Sequence, residues 1–349
     1  MMEAMIREIH LRADYLQGDV IKTIYFGGGT PSILPTRWIA RLLAEIHRIF
    51  EVSPDAEVTL EANPDDIHAE RLKSWSALGI NRLSIGIQTF DDERLKFLNR
   101  IHSGQEAQAS IQLAQDHGFQ NLTCDLIYAI PPEHMQKWEQ DVRTLLAHQV
   151  PHISMYGLTI EEDTAFGKWR STGKLKEVSE AANARQYEWT IDHLKAAGFE
   201  HYEVSNFCQP GMQSRHNSAY WLQTAYLGLG PGAHSYDGGS RSYAVSNNAL
   251  YIKALTANQL PLEVEILTPF QKANEYVLTR IRTHFGVDLS YVSELTGIDL
   301  LQKHGPFIHQ LISQGMMEKS GKFYRLTSKG MFNADEIALK FFLDEAVIS

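Results

Sequence analysis

The chain has 349 residues, a length that suits two domains. Hydrophobic residues make up 44% and charged residues 21%, a balance that predicts a sizeable core and excludes disorder as the dominant state. The net charge of −10 argues against a surface built mainly to bind polyanions. Two cysteines, Cys124 and Cys208, are too few for a disulfide framework or a cysteine-held zinc centre.

The N-terminus predicts a helix from its first residues, with Met5, Ile9 and Leu16 on one face. It carries no signal-peptide pattern, and no apolar run is long enough to span a bilayer. We therefore expect a cytoplasmic protein without an integral membrane span. A chain that opens within a helix, with no cap before it, is typical of a sequence cut from a longer one.

From residue 23 to about 207 the chain alternates short apolar strands with longer helical patterns. This alternation indicates parallel strands joined by crossover helices, as in a doubly wound sheet or a full or partial β/α barrel. The predicted strands are 23–26, 57–61, 82–87, 121–127, 152–157 and 201–204. The predicted helices between them are 38–50, 68–78, 104–117, 134–148 and 181–197.

Three regions follow from these patterns. Residues 1–207 form the β/α region, residues 208–265 a connecting region rich in glycines and polar turns, and residues 266–349 a mainly helical domain. In the last region, a helix at 307–314 followed by strands at 316–319 and 323–326 is a winged-helix pattern.

Winged helices also occur in nucleic-acid binders, which gives an alternative function of another class. Residues 301–349 contain six Lys and Arg against five Asp and Glu, whereas such binding needs a basic surface. We therefore expect a packing domain and no nucleic-acid partner.

Polar or glycine residues lie within or just after four successive predicted strands. They are GGGTP at 27–31, EANP at 61–64, GIQTF at 86–90, and Asp125 in the fourth strand. Because the carboxyl ends of parallel strands meet at one edge, we expect a single site there. The glycines allow close approach of a ligand, and carboxylates suit an ammonium group or a ribose diol. Considered alone, the glycine run is equally well explained by a tight turn without a ligand. Each polar side chain, considered alone, is better explained by a structural hydrogen bond.

Two histidines, His216 and His234, have aromatic or glycine-rich neighbours. A neutral imidazole can bind a metal, including heme iron, and Tyr220 and Trp221 can stack on a flat macrocycle. Spacing alone favours a hydrogen-bonded histidine in a packed loop.

These motifs resemble radical S-adenosylmethionine (SAM) proteins, specifically the subgroup of oxygen-independent coproporphyrinogen III oxidase and the heme chaperone HemW. The resemblance covers essentially the whole chain, with the motifs in family order, including DLIY at 125–128 and GLGPGAHS at 228–235. It implies a partial (β/α) barrel followed by a smaller winged-helix-like domain. It also implies that residues 230–234 close over the adenosine end of SAM. The implied SAM-binding residues are Gly29, Thr30, Glu61, Gln88, Arg100 and Asp125.

The segment HNSAYW at 216–221 matches the H-N-x-x-Y-W motif associated with heme binding in the chaperone branch, which the decarboxylating enzyme branch lacks. The resemblance therefore implies heme binding at His216, Asn217, Tyr220 and Trp221, with delivery of heme to acceptor proteins. The alternative is a coproporphyrinogen III oxidase of porphyrin biosynthesis.

Family members carry a C-x-x-x-C-x-x-C loop after the first barrel strand, whose thiolates hold a [4Fe–4S] cluster. That strand and loop are absent from this sequence, and neither Cys124 in a strand nor Cys208 in a later loop can replace them. We therefore expect no reductive cleavage of SAM by the chain as written. We also expect an exposed edge where the first barrel strand would pair.

Overall fold

A computed structural model describes residues 1–344 of the chain. It forms two compact units, each built from separate segments. The sheet unit comprises residues 25–33 and 58–213, and the helix unit comprises residues 1–24, 34–57 and those from 214 onward. The predicted boundaries at 207 and 265 stay predictions. Within residues 1–344, no helix is both long and apolar enough to cross a membrane.

The main sheet has seven strands in the order β1-β2-β3-β4-β5-β7-β6, and β2 to β5 pair in parallel. The predicted α/β architecture is therefore confirmed, with β1 at one edge. The strands are β1 Ile21–Phe26, β2 Val52–Ala62, β3 Arg82–Gln88, β4 Leu122–Tyr128, β5 His152–Gly157, β6 Glu200–Glu203 and β7 Asn206–Cys208.

The predicted helices lie close to their expected bounds, because each has a clear apolar stripe. Two shorter helices, α4 and α7, were not predicted, since six or seven residues show too little of the helical period. The helices of this part of the chain are α1 Met2–Leu11, α2 Thr36–Ile49, α3 Ala69–Ala77, α4 Asp92–Phe97, α5 Gly104–Asp116, α6 Met135–Ala147, α7 Ala165–Ser171 and α8 Glu180–Ala196.

The far edge of the sheet differs from the all-parallel expectation. Strand β7 lies between β5 and β6 and is antiparallel to both. Only Val204 and Ser205 separate β6 from β7, so the two form a tight hairpin. The sequence gives no sign of β7, because all three of its residues are buried and no alternation is visible.

Side chains on the parallel strands alternate between two faces. One face is apolar, with Leu60, Ile85 and Leu126 fully buried. The other face is polar: Glu61 is in register with Ser84, and Asp125 with Ser154. Parallel sheets normally carry apolar side chains on both faces. The polar face is therefore the candidate ligand-binding face of this sheet.

The helix unit contains structure in the region expected to be irregular. Its first part holds a three-stranded antiparallel sheet in the order β10-β9-β8. The elements are α9 Arg215–Trp221, β8 His234–Tyr236, β9 Ser240–Ala244, α10 Asn248–Thr256 and β10 Leu262–Ile266.

The predicted winged-helix pattern is confirmed at the end of the helix unit, where three strands pair in the order β11-β13-β12. Val277, Ile308 and Met317 are buried in its core. The predicted helix at 307–314 is the second half of a longer helix that begins after the Asp299 cap. The elements are α11 Pro269–Ile281, β11 Val287–Asp288, α12 Leu289–Thr296, α13 Leu300–Ser313, β12 Met317–Ser320, β13 Phe323–Leu326, α14 Ser328–Met331 and α15 Ala334–Lys340.

Candidate functional site

The glycine loop after β1 packs against Glu61 on one side and faces open space on the other. A Cβ atom at Gly27 would lie 2.7 Å from Glu61 Oε1 and 2.5 Å from the Tyr25 ring, so no larger residue fits there. A Cβ atom at Gly29 would meet nothing within 4 Å. The carbonyl oxygen of Thr30, the next residue, accepts a hydrogen bond of 3.2 Å from the Ile33 amide. The loop therefore leaves room for a ligand beside Gly29 and Thr30.

Two carboxylates, Glu61 and Asp125, share the polar face of the sheet unit. The Tyr25 hydroxyl donates to Glu61 Oε1 at 2.7 Å, and Ser84 Oγ donates to Asp125 Oδ2 at 3.3 Å. Burial raises the pKa of Asp125 to about 6, although hydrogen bonds from Ser154 and Ser84 lower it, and the negative charge of Glu61 raises it further. Since the Glu61 charge disfavours ionisation of Asp125, this place suits a ligand that carries positive charge.

The raised pKa of Asp125 predicts a pH-dependent stability difference between the wild type and Asp125→Asn. The folded protein holds the Asp125 proton more tightly than the unfolded chain, so this stabilisation is lost as pH rises from about 4 to about 6. Asparagine imitates the protonated form. The variant should therefore gain about 1–3 kcal/mol relative to the wild type across that window and then level off.

Urea unfolding of both proteins at pH 4.5, 5.5 and 7 measures this difference. Asp141, whose pKa is also raised to about 6, contributes equally to both proteins and cancels. Parallel stability curves over the whole range would contradict the assignment.

Gln88 and Arg100 flank a second part of the polar face. Gln88 ends β3 with a φ of +69°. Its Nε2 lies 2.8 Å from where a Cβ atom of Gly86 would stand, so a larger residue at that position would displace the Gln88 side chain. The same hypothetical Cβ atom would lie 3.6 Å from Asn63 Oδ1. Arg100 Nη1 donates a hydrogen bond of 3.2 Å to that oxygen. Gln88, Asn63 and Arg100 are thus neighbours at the ends of β2 and β3. With Glu61, Asp125, Gly29 and Thr30, we name them the strand-end cluster.

Sequence reasoning missed the residues that support this cluster. Tyr25 and Ser84 hold the two carboxylates, and Ser32 donates to Asp66 Oδ2 at 2.7 Å, linking the loops that follow β1 and β2. One sequence feature could have indicated these residues: polar side chains recur at every second position of strands whose other positions are apolar.

The two cysteines do not fit an iron–sulfur cluster. Cys124 and Cys208 are unpaired and fully buried. Burial raises the pKa of the Cys124 thiol well above its usual range and that of Cys208 to about 12, so both remain uncharged thiols at neutral pH. Among residues 1–344, no group of three or more His, Cys, Asp or Glu side chains is placed to hold a metal ion.

In the helix unit, helix α9 carries the four residues of the HNxxYW motif, which we name the α9 cluster. The His216 and Tyr220 rings, one turn apart, meet edge-to-face with centroids 5.0 Å apart, and the Tyr220 ring lies 4.5 Å from that of Tyr226. Tyr220 is 40% exposed. Ser214 Oγ caps the helix by accepting from the Asn217 amide at 3.2 Å. The rings of His216, Tyr220 and Tyr226 therefore lie in a row, of which Tyr220 is partly exposed.

His216 and Trp221 have the properties of ligand-binding side chains. Burial lowers the pKa of His216 to about 4, so its ring is neutral at pH 7 and able to coordinate a metal. Trp221 Nε1 is buried and has no hydrogen-bond partner among residues 1–344. The Arg282 guanidinium lies 5.5 Å from the Trp221 ring centroid.

The glycine-rich segment 228–235 also belongs to the helix unit. The Gly230 amide donates to Glu8 Oε2 at 2.9 Å, and a side chain at Gly228 would overlap the carbonyl group of His234. The buried Glu8 carboxylate therefore fixes this turn. That the segment closes over a nucleoside stays a prediction.

Comparison with known proteins shows to which family this chain belongs. A sequence profile of the radical SAM superfamily matches residues 3–145, and a profile of the HemN C-terminal domain matches residues 267–332. The chain is 34% identical to the heme chaperone HemW of Lactococcus lactis, over 93% of this chain and 86% of that one. It is 33% identical to the heme chaperone HemW of Bacillus subtilis, over 91% of this chain and 84% of that one.

Among solved structures, coproporphyrinogen III oxidase (HemN) of Escherichia coli matches with a TM-score of 0.82, covering 97% of this chain and 82% of that chain. At 22% identity this similarity establishes the fold alone. The sequence relatives establish more: this chain belongs to the HemW family of radical SAM proteins.

Proposed function

We propose that this protein binds heme at the α9 cluster and SAM at the strand-end cluster, and delivers heme to acceptor proteins. The observation that carries the proposal is the neutral His216 beside the partly exposed Tyr220 on one short helix. An imidazole supplies the axial ligand for iron, and flat aromatic rings supply contacts to the macrocycle. The relatives named as heme chaperones support the same assignment.

The radical SAM family implies SAM and a [4Fe–4S] cluster as cofactors. The strand-end cluster fits SAM, because Glu61 and Asp125 suit its positive charges and ribose hydroxyls, and Arg100 suits its carboxylate. In this family SAM supplies one-electron, hydrogen-abstracting chemistry. The residues of this chain do not fit the cluster, since both cysteines are buried thiols, and we propose no radical step for these 349 residues.

Titration of the purified protein with ferric heme tests the central claim. We expect a saturable Soret band that shifts from that of free heme, followed by transfer of the heme to apomyoglobin as a probe acceptor. Isothermal titration with SAM tests the second site separately. The absence of any heme-induced absorbance change would refute the chaperone function.

Decarboxylation of coproporphyrinogen III, the activity of the solved protein with this fold, is the alternative function; it needs an iron–sulfur cluster, whose cysteine ligands these 349 residues do not supply. Mass spectrometry of a reaction with SAM and a chemical reductant tests it. Loss of carbon dioxide from the substrate would establish the enzyme and overturn our view that this chain performs no radical step, whereas saturable heme binding supports the chaperone.

A further inference from the structure

We infer that Thr23 and Glu57 are positioning residues of the heme site. Thr23 sets which nitrogen of the His216 ring faces the iron, and Glu57 holds the helix that carries His216. The inference rests on the proposed heme binding by His216 and names two residues that lie outside the HNxxYW motif. Neither was a candidate on sequence grounds.

Thr23, on β1, pairs with one nitrogen of the His216 ring and so directs the other toward a ligand. Its Oγ1 lies 2.8 Å from His216 Nδ1. The nitrogen that binds iron must present a lone pair, so in a neutral ring bound through Nε2 the proton is on Nδ1. Nδ1–H then donates to Thr23 Oγ1, which also fixes the rotation of the ring. Metal-binding histidines depend on such a partner for their orientation and basicity.

Glu57, on β2, holds the first turn of α9. Its carboxylate is 4% exposed and accepts hydrogen bonds from the backbone amides of Arg215 at 3.2 Å and His216 at 3.0 Å. These amides open the helix and have no partner within it. A helix of seven residues is not stable alone, so its direction depends on contacts of this kind.

The two residues affect different properties of bound heme. A hydrogen bond from Nδ1–H makes Nε2 a stronger electron-pair donor to iron. A stronger donor favours ferric over ferrous iron. Removal of the Thr23 hydroxyl should therefore weaken heme binding and make the reduction potential more positive. Glu57 acts through the backbone amides of α9, whereas Thr23 acts on the ring nitrogen Nδ1. Its loss should weaken binding but leave the potential unchanged.

Thr23→Val and Glu57→Gln test the inference. Valine matches the shape of threonine without the hydroxyl, and we expect about ten-fold weaker heme binding with a positive shift in potential. Thr23→Ser, which restores the hydroxyl, should bring both values back. In Glu57→Gln one of the two accepting oxygens becomes an amide NH2 group, which can only donate, so affinity should fall several-fold at an unchanged potential. Spectroelectrochemical titration of the heme-loaded full chain gives the potential, and Soret titration gives the affinity.

Thr256→Val serves as the matched control, because that hydroxyl donates to the Ile252 carbonyl of its own helix at 2.7 Å. If Thr23→Val lowers affinity without moving the potential, its role is structural and the positioning assignment is overturned. Wild-type affinity in Glu57→Gln overturns the second assignment. If the wild type binds no heme at all, the proposed function itself fails, and that result is distinct from either of these.

Discussion

Replacing His216 by alanine is expected to abolish specific heme binding. The change removes the candidate iron ligand, whose ring is neutral at pH 7 because burial lowers its pKa to about 4. Loss of an outer partner of a metal ligand costs about 10–100-fold in affinity, and loss of the ligand itself should cost more. Soret titration with ferric heme should show only the weak, unsaturable response of non-specific binding.

The matched control is His309→Ala. His309 is exposed on α13 of the same unit and lies outside the α9 cluster. The control should bind heme like the wild type. A His216→Ala variant with an intact fold by circular dichroism and wild-type heme affinity would show that the protein uses another ligand.

Replacing Glu61 by glutamine is expected to weaken SAM binding by about 10–100-fold. Glutamine keeps the shape and can still accept the 2.7 Å hydrogen bond from the Tyr25 hydroxyl, so the local packing should persist. What disappears is a negative charge beside a cationic ligand, and hydrogen bonds to charged groups contribute about 1.5–3 kcal/mol. Isothermal titration with SAM measures the change.

The control for this variant is Glu70→Gln, which removes the same charge from an exposed position on α3 of the same unit. Unchanged SAM affinity in Glu61→Gln would mean that SAM binds away from the strand-end cluster. Equal losses in both variants would point to the overall charge of the protein rather than to a local contact.

The amino-acid sequence by itself determined the regular part of the fold. Its amphipathic helices and apolar strands repeat with clear periods, so β2 to β5 and the helices between them could be predicted. The winged-helix pattern was readable for the same reason. The motif residues were also readable, because GGGT and HNSAYW are contiguous in the chain.

Short elements and irregular connections could not be predicted in this way. Strand β7 and the sheet of β8, β9 and β10, made of strands of three to five residues, were not predicted. These short strands show too few alternations to reveal a period, and they lack the regular helix–strand or wing context that marked β6, β12 and β13. Their pairing depends on distant partners, and burial on both faces hides the alternation in β7.

Tertiary structure alone decided which residues support the two clusters. Thr23 meets His216 across 193 residues, and Glu57 meets the amide of the same residue across 159. Tyr25 reaches Glu61 across 36. A hydrogen bond between distant segments leaves no periodic trace in the sequence, because it requires only one donor and one acceptor brought together by the fold. The motifs therefore predict the ligand-facing residues, and the fold identifies the side chains that contact them.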